Sequence, residues 1–468
     1  MRTEKDFLGE MLVPADAYYG VHTARALENF PLTGHPAHPA LLVALTQVKK
    51  ACARANLELG FLAPEVANAI LAAGDELLAQ LQQGAGELRG NLLVDALQGG
   101  AGTSANMNVN EVLANRAEEL LGGRKGDYRL VHPIDQVNLH QSTNDAYPTA
   151  LKVAAITLLR GLEKEIAGLQ QAFQDKEAAF ADIVKIGRTQ LQDACPITLG
   201  AEFSAYGEAL GRDRWRVFKC EERLRVVNLG GAAVGTGLTA PRRYIFLVVD
   251  KLREETGLGL SRAENLVDAT QNVDCFVEVS GILKAHAVNL FKISSDLRLL
   301  ASGPKAGLGE LRLPAVQAGS SLMPGKVNPV ICEAVAQAAM SAMTQDQAVT
   351  LAAQSGQLEL NAFLPLVAHA LLGSLSLLEN ANRLFRTRCV EGIEADREAC
   401  QEHVARSWAT VVALVPLLGY DTAAEIAASA RETGKPVRAL VLERGLLDEQ
   451  TLDRALSAEA MTALGFRG

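Results

Sequence analysis

The stretch Phe276-Val277-Glu278-Val279-Ser280-Gly281-Ile282-Leu283-Lys284-Ala285-His286-Ala287-Val288-Asn289-Leu290-Phe291-Lys292-Ile293-Ser294-Ser295-Asp296-Leu297-Arg298-Leu299-Leu300 decides the fold class. Phe276, Val279, Leu283, His286, Leu290, Ile293, Leu297 and Leu300 recur at alternating spacings of three and four. On an α-helix such positions line up as one apolar seam, the pattern that packs long helices side by side. A strand would need alternation with period two, which the stretch lacks. His286 falls on the seam, so its expected role is that of a core or interface histidine rather than a catalyst.

Helical patterns continue on both sides. From Pro148 to about Ala178 the apolar residues Leu151, Leu158, Leu162, Ile166, Leu169 and Phe173 share one face. Another long helical region covers roughly 330–395, with Val335, Met340, Met343 and Leu351. Pro64 suits a first helical turn, and the helix in NMNVNEVLANRAEELL is expected to begin near Asn108. Residues 1–40 read as irregular. In the last 70 residues Thr422 and Glu425 have capping-box spacing, and Gly434 with Pro436 separates two short helices. No run of convincing strands, internal repeat or low-complexity linker is present. The expected architecture is all-α: a long-helix bundle at 142–396 between an N-terminal domain, 1–141, and a small C-terminal helical domain, 397–468.

Composition narrows the function. The 468 residues are 49% hydrophobic and 21% charged, which excludes a disordered chain and permits a large core. Net charge is −9 without a basic tract, so no nucleic-acid partner is expected. No run of 18 apolar residues suggests a membrane span. The seven cysteines are scattered and form no CxxC or Cys/His cluster, which argues against a disulfide framework or a zinc site. With no apolar secretory core in MRTEKDFLGE, the expected compartment is the cytoplasm.

Chemistry concentrates where the helical pattern breaks. Gly102–Asn106, Gln141–Asp145, Gly187–Gln190 and Gly319–Pro329 are rich in hydroxyl and amide donors and poor in carboxylates. Each alone has an ordinary explanation, because caps and turns use Ser, Thr, Asn and Asp. Four such clusters with one lysine can surround a small dicarboxylate with donors. In the last of them Gly319, Pro324, Gly325 and Pro329 forbid a regular helix and favour a loop whose amides point at a ligand. There Ser320 and Ser321 offer a base or nucleophile with a neighbouring donor, and Lys326 and Asn328 suit a carboxylate. VNLGGAAVGTG at 227–237 lacks GxGxxG spacing and a βαβ context, so it reads as a tight connection between helices. His132, in HPIDQ, is a loop histidine.

The motif GSSxMPGKVNP at 319–329 resembles the aspartase/fumarase superfamily of lyases. The likeness extends over nearly the whole chain: YYGVHTxRAxENF at 18–30, GGAGTSxNMNxNEVLAN at 99–115, QSTNDAYPTA at 141–150, GRTQLQDA at 187–194, DLRLLxSGPxxGLGE at 296–310 and QLELN at 357–361. Tyr19-Gly20-Val21-His22-Thr23, Gln190-Leu191 and Gln317-Ala318-Gly319 side with the aspartase branch rather than the fumarase branch. Two departures are Ile134, where the family often has asparagine, and His140, where it usually has serine; the second lies beside the substrate cluster and bears on specificity.

The resemblance implies reversible elimination of ammonia from L-aspartate to give fumarate, with no organic cofactor and no metal ligand set. It implies that Ser320 is the base, and that Thr103, Ser142, Thr143 and Ser321 hold the β-carboxylate. Lys326 and Asn328 match positions for the α-carboxylate; Asn144, Thr189 and Gln190 match positions near the amino group. It also implies a homotetramer with active sites shared between subunits. The alternatives are a fumarate hydratase acting on L-malate, a carbon–nitrogen lyase for another amino acid, and a non-catalytic homologue that keeps the bundle.

Overall fold

The computed structural model describes residues 1–465. In chain order its elements are β1 (Arg2–Asp6), β2 (Gly9–Val13), α1 (Val21–Asn29), α2 (Pro39–Glu58), α3 (Pro64–Gln83), α4 (Thr103–Leu120), α5 (Thr143–Ala179), β3 (Val184–Thr189), β4 (Gln192–Thr198), α6 (Leu199–Leu224), β5 (Val226–Val227), α7 (Arg242–Thr256), β6 (Ser261–Arg262), α8 (Leu266–Gln271) and α9 (Asp274–Leu300). Then follow β7 (Leu311–Arg312), α10 (Val330–Gln354), α11 (Leu364–Arg388), β8 (Glu394–Ala395), α12 (Arg397–Arg406), α13 (Val415–Leu418), α14 (Tyr420–Thr433), α15 (Val437–Glu443), α16 (Glu449–Ala455) and α17 (Ala458–Thr462). Among the described residues the strands form only two-stranded sheets, so the fold is the expected assembly of long helices.

The residues divide into two compact units. The first comprises Met1–Glu163, Trp215–Ala287 and Met340–Glu379; the second comprises Lys164–Arg214, Val288–Ala339 and Asn380–Gly468. Five long helices, α5, α6, α9, α10 and α11, have residues in both. Every seam residue of α9 from Phe276 to Leu300 is buried, and His286 is fully so. The segment Leu364–Gly392 has the length and mean hydropathy, 1.2, of a membrane span, yet 61% of its apolar window is buried, as for a core helix.

In the first unit, residues 1–40 are more ordered than expected. β1 and β2 pair as an antiparallel hairpin from Arg2↔Val13 to Asp6↔Gly9, and α1 follows. Hydropathy hides this hairpin because one of its inward residues is Glu4, buried against Arg2 at 2.7 Å. Pro64 opens α3 as its first residue, and α3 stops at the left-handed Gly84. α4 begins at Thr103 rather than near Asn108; Asn106, Asn108 and Asn110 lie buried inside it, where tertiary partners override their preference for caps.

α5 likewise starts at Thr143, five residues before Pro148. The N–H that proline lacks would have bonded the Asn144 carbonyl. Asn228 Nδ2 donates to that oxygen at 3.0 Å instead, so the helix runs through the proline. The region expected to be helical over 330–395 is two helices. Asn361 breaks it: its Nδ2 donates to the carbonyls of Ala352 and Ala353 at 3.0 and 2.9 Å, and its Oδ1 accepts from Phe363 N at 2.8 Å.

In the second unit β3 and β4 form a hairpin with an irregularity between Ile186 and Arg188. The C-terminal helices pack on Val411, Leu414, Ile426, Leu440, Val441 and Leu452. Thr422 does not cap a helix; it lies within α14, which starts after Gly419 without a side-chain cap. Left-handed Gly434 ends α14, and Pro436 precedes α15, as the sequence suggests.

Candidate active site

In the first unit, two donor clusters meet. Gly100, Ala101 and Gly102 carry the chain at positive φ (84°, 55° and 96°) into α4, whose first residue is the exposed Thr103. A Cβ on Gly102 would sit 2.4 Å from the ring of buried Tyr147, so glycine there lets the turn lie against the start of α5. Ser142 precedes α5; its Oγ accepts from Asn144 N at 3.2 Å. Thr143 Oγ1 accepts from Asn106 Nδ2 at 3.2 Å, joining the two clusters. Asn144 Nδ2 donates to Ala233 O at 2.8 Å.

Beneath them lies Asp145, fully buried, accepting from the backbone N–H of Ser142, Gly230 and Ala232 at 2.9, 3.0 and 3.0 Å. Burial pushes its carboxyl up to about 6 despite those three bonds. The stretch 227–237 is therefore a brace for Ser142–Asn144, in keeping with its reading as a connection rather than a nucleotide loop.

Sequence reasoning missed Lys49. Its buried amine donates to Asn138 Oδ1 and Gln141 Oε1, both at 2.8 Å. Asn138 Oδ1 also accepts from Asn106 and Asn110 at 3.2 and 3.1 Å, so a cation and a web of amides underlie the hydroxyls. Burial pushes the Lys49 amine down to about 8. In isolation Lys49-Lys50 reads as a solvated helix face. The available signal was periodicity: Lys49 lies four residues after Leu45 and three before Cys52, on the apolar side of α2.

His140, at φ 62°, hydrogen-bonds Asn56 Oδ1 at 2.7 Å and packs its ring on Phe61 and Tyr244, with centroids at 4.9 and 5.2 Å. Those contacts give it a packing role. His132 Nδ1 accepts from the N–H of Ile134 and Asp135, capping the turn Pro133–Val137 and leaving Ile134 exposed.

The second unit holds Thr189, Gln190, Ser320, Ser321, Lys326 and Asn328. Gln190 and Leu191 form the two-residue tip of the β3–β4 hairpin, both at positive φ (54° and 61°), and Thr189 and Gln190 are exposed. The hairpin is held by charge. Buried Glu310 pairs with Lys185 at 2.9 Å and Arg188 at 2.8 Å, and shares a hydrogen bond with His403 Nδ1 at 2.9 Å. Burial pushes the Glu310 carboxyl up, but Arg188 and Lys185 outweigh it and hold the group below its ordinary value.

The loop Gly319–Pro329 is closed at its neck: Gly319 N donates to Lys326 O at 2.8 Å, and Asn328 Nδ2 to Gly319 O at 2.7 Å. A Cβ on Gly319 would come within 2.6 Å of Lys326 O, so the neck requires glycine. Residues 321–327 are exposed. Ser320 Oγ accepts from two backbone amides, Leu322 N at 3.1 Å and Met323 N at 2.9 Å. A cleft of about 790 Å³ runs beside the loop, lined by Arg298, Ser302, Lys326, Asn328 and Glu333. The parts thus amount to a hydroxyl under two amides, a loop lysine, and further hydroxyl and amide donors with few carboxylates.

The chain belongs to a family of lyases: the lyase family model matches residues 9–344 and the fumarase C C-terminal model matches 411–463. An aspartate ammonia-lyase of a Bacillus species is 47% identical over 468 residues, covering 100% of this chain and 99% of that one. The aspartate ammonia-lyase of Escherichia coli strain K12 is 46% identical over 461 residues, covering 98% and 95%. Among solved structures, a cobalt-bound fumarate lyase:delta crystallin from Brucella melitensis superposes with TM-score 0.94 at 47% identity, covering 99% and 100%. A class II fumarase from Schistosoma mansoni gives TM-score 0.90 at 34% identity, covering 98% of each chain.

Proposed function

We propose that this chain catalyses the reversible deamination of L-aspartate to fumarate and ammonia, with Ser320 as the base. The observation that carries the mechanism is the pair of backbone amides on Ser320 Oγ. A serine hydroxyl is a poor base at neutral pH, and hydrogen bonds to its anion lower that barrier. Full-length relatives named aspartate ammonia-lyase at 46–47% identity, against 34% for the fumarase, support the leaving group being ammonia. So do Tyr19–Thr23, Gln190-Leu191 and Gln317-Ala318.

Removing the proton beside the β-carboxylate places a second charge there, giving an enediolate-like dianion. Ser142, Thr143 and Ser321 donate to it, and Thr103 joins them once its hydroxyl turns from Gly100 O, to which it donates at 2.7 Å; elsewhere each such donor is worth about 2.7–4 kcal/mol. Lys326 and Asn328 receive the α-carboxylate. Asn144, whose Nδ2 is engaged by Ala233, offers its Oδ1 to the ammonium group alongside Thr189 and Gln190. The exposed loop closes over bound substrate as a lid. Offering the purified protein L-aspartate, L-malate, or fumarate with ammonia, and following fumarate by ultraviolet absorbance, tests the assignment. Aspartate turnover far above malate turnover is expected; the reverse identifies a hydratase, and inactivity on both a structural homologue.

Each active site is shared in a homotetramer. α5 is unbroken over 37 residues, about 55 Å at 1.5 Å per residue. The two clusters proposed to hold one substrate, Ser142–Asn144 before this helix and Thr189 with Gln190 after it, are drawn from different chains. Exposed Trp215 and Phe218 on α6, Val288 on α9 and Leu351 on α10 supply apolar surface for association. Mixed, refolded Thr143→Ala and Ser320→Ala chains should regain activity; proven mixing without recovery would refute sharing. Free cysteines, among them exposed Cys195, suit the cytoplasm.

A further inference from the structure

We propose that Cys332 and Cys389 are a modification site: a dithiol that a peroxide oxidises reversibly to an intrachain disulfide at the root of the Ser320 loop. Both thiols are buried, at 0% and 2% exposure, and their sulfurs lie 3.7 Å apart in mutual contact. A disulfide needs about 2.05 Å, so bridging asks for a shift of under about 2 Å. Each residue sits where such a shift is easiest. Cys332 is the third residue of α10, three after Pro329, and Cys389 follows the last residue of α11 and precedes the turn Val390–Gly392.

The crevice that both cysteines line with Pro314, Pro329, Val330 and Arg388 holds only about 10 Å³, too little for peroxide, so oxidation requires the adjoining ends of α10 and α11 to open first. The hydrogen bond to Cys332, with burial added, holds the Cys389 thiol protonated well above the ordinary thiol range. Oxidation is therefore slow and the pair stays reduced until oxidant accumulates. One sulfur attacks peroxide, taking one oxygen as a sulfenic acid while the other leaves as water. The second sulfur then displaces the sulfenic oxygen as a second water. Two thiols and one peroxide thus give one disulfide and two waters. The bond ties the downstream anchor of Gly319–Pro329 to the end of α11 and restrains the loop.

The test uses the full chain with exposed Cys195 replaced, Cys195→Ser, titrated with hydrogen peroxide below unfolding doses. The expected result is loss of two thiols and about 2 Da, a 332–389 cross-linked peptide, and reversal by dithiothreitol. Cys332→Ser should abolish the cross-link. Cleavage within 319–329 by a protease should slow several-fold in the oxidised protein, a readout independent of the substrate assignment, and aspartate turnover should fall with it. Oxygen adducts without the cross-link, or no reaction at either residue, would overturn the site; complete cross-linking with unchanged cleavage would overturn its coupling to the loop.

Discussion

Gly102→Ala tests whether one contact places the first donor cluster. Gly102 has φ 96° and ψ 9°, and its missing Cβ would stand 2.4–2.7 Å from three ring atoms of Tyr147, itself 1% exposed. A left-handed L-residue costs about 1–2 kcal/mol. Overpacking a buried ring that cannot swing into solvent adds about 1–3 kcal/mol, so the expected loss is about 2–5 kcal/mol. Gly84→Ala is the matched control: φ 71°, ψ 11°, and nothing within 4 Å of the added carbon, so backbone strain alone applies. Urea titrations of both variants, and of Gly102→Ala in a Tyr147→Ala background, separate the two contributions. There the cost of Gly102→Ala should fall to that of Gly84→Ala, because the clash is gone. In the catalytic assay Gly102→Ala should lose roughly tenfold or more, since displacing Thr103 loosens the β-carboxylate site. Equal costs for the two glycines, or no coupling to Tyr147, would refute the reasoning.

Other outcomes follow from the same geometry. Ser320→Ala should lower kcat by roughly 10²–10⁴ with an unchanged circular dichroism spectrum, because the half-buried loop hydroxyl contributes little packing; Lys326→Ala should raise KM strongly instead. Lys49 has a folded value near 8, below its ordinary 10.5, so the unfolded chain holds the proton more tightly between those values. Stability of the wild type relative to Lys49→Met should therefore rise between pH 8 and 10.5, by up to about 3 kcal/mol, and stay flat below pH 8; parallel stability curves would discount the buried charge. Asn228→Ala removes its donations to Asn144 O and Thr270 Oγ1, each at 3.0 Å, and the acceptor of Thr149 Oγ1 at 3.3 Å. A loss of about 2–4 kcal/mol by urea titration is expected.

Periodicity and punctuation by themselves determined that long helices dominate, though not all their bounds, together with the proline start of α3 and the glycine stop of α14, because each depends on residues close along the chain. The α9 seam told where a helix buries its face without any knowledge of its neighbours. Motif resemblance supplied the family and singled out Ser320, whose loop is local in sequence. What tertiary structure decided is the set of features created by distant partners. Asn228 carries α5 through Pro148, Tyr147 explains Gly102, Asp145 turns a glycine-rich stretch into a brace, and Glu4 holds a hairpin that hydropathy does not reveal. Lys49 belongs to the same set: a charged side chain reads as solvated until Asn138, 89 residues away, accepts its hydrogen bond. A buried polar group persists only where partners satisfy it, and those partners are chosen by the folded chain, not by its order.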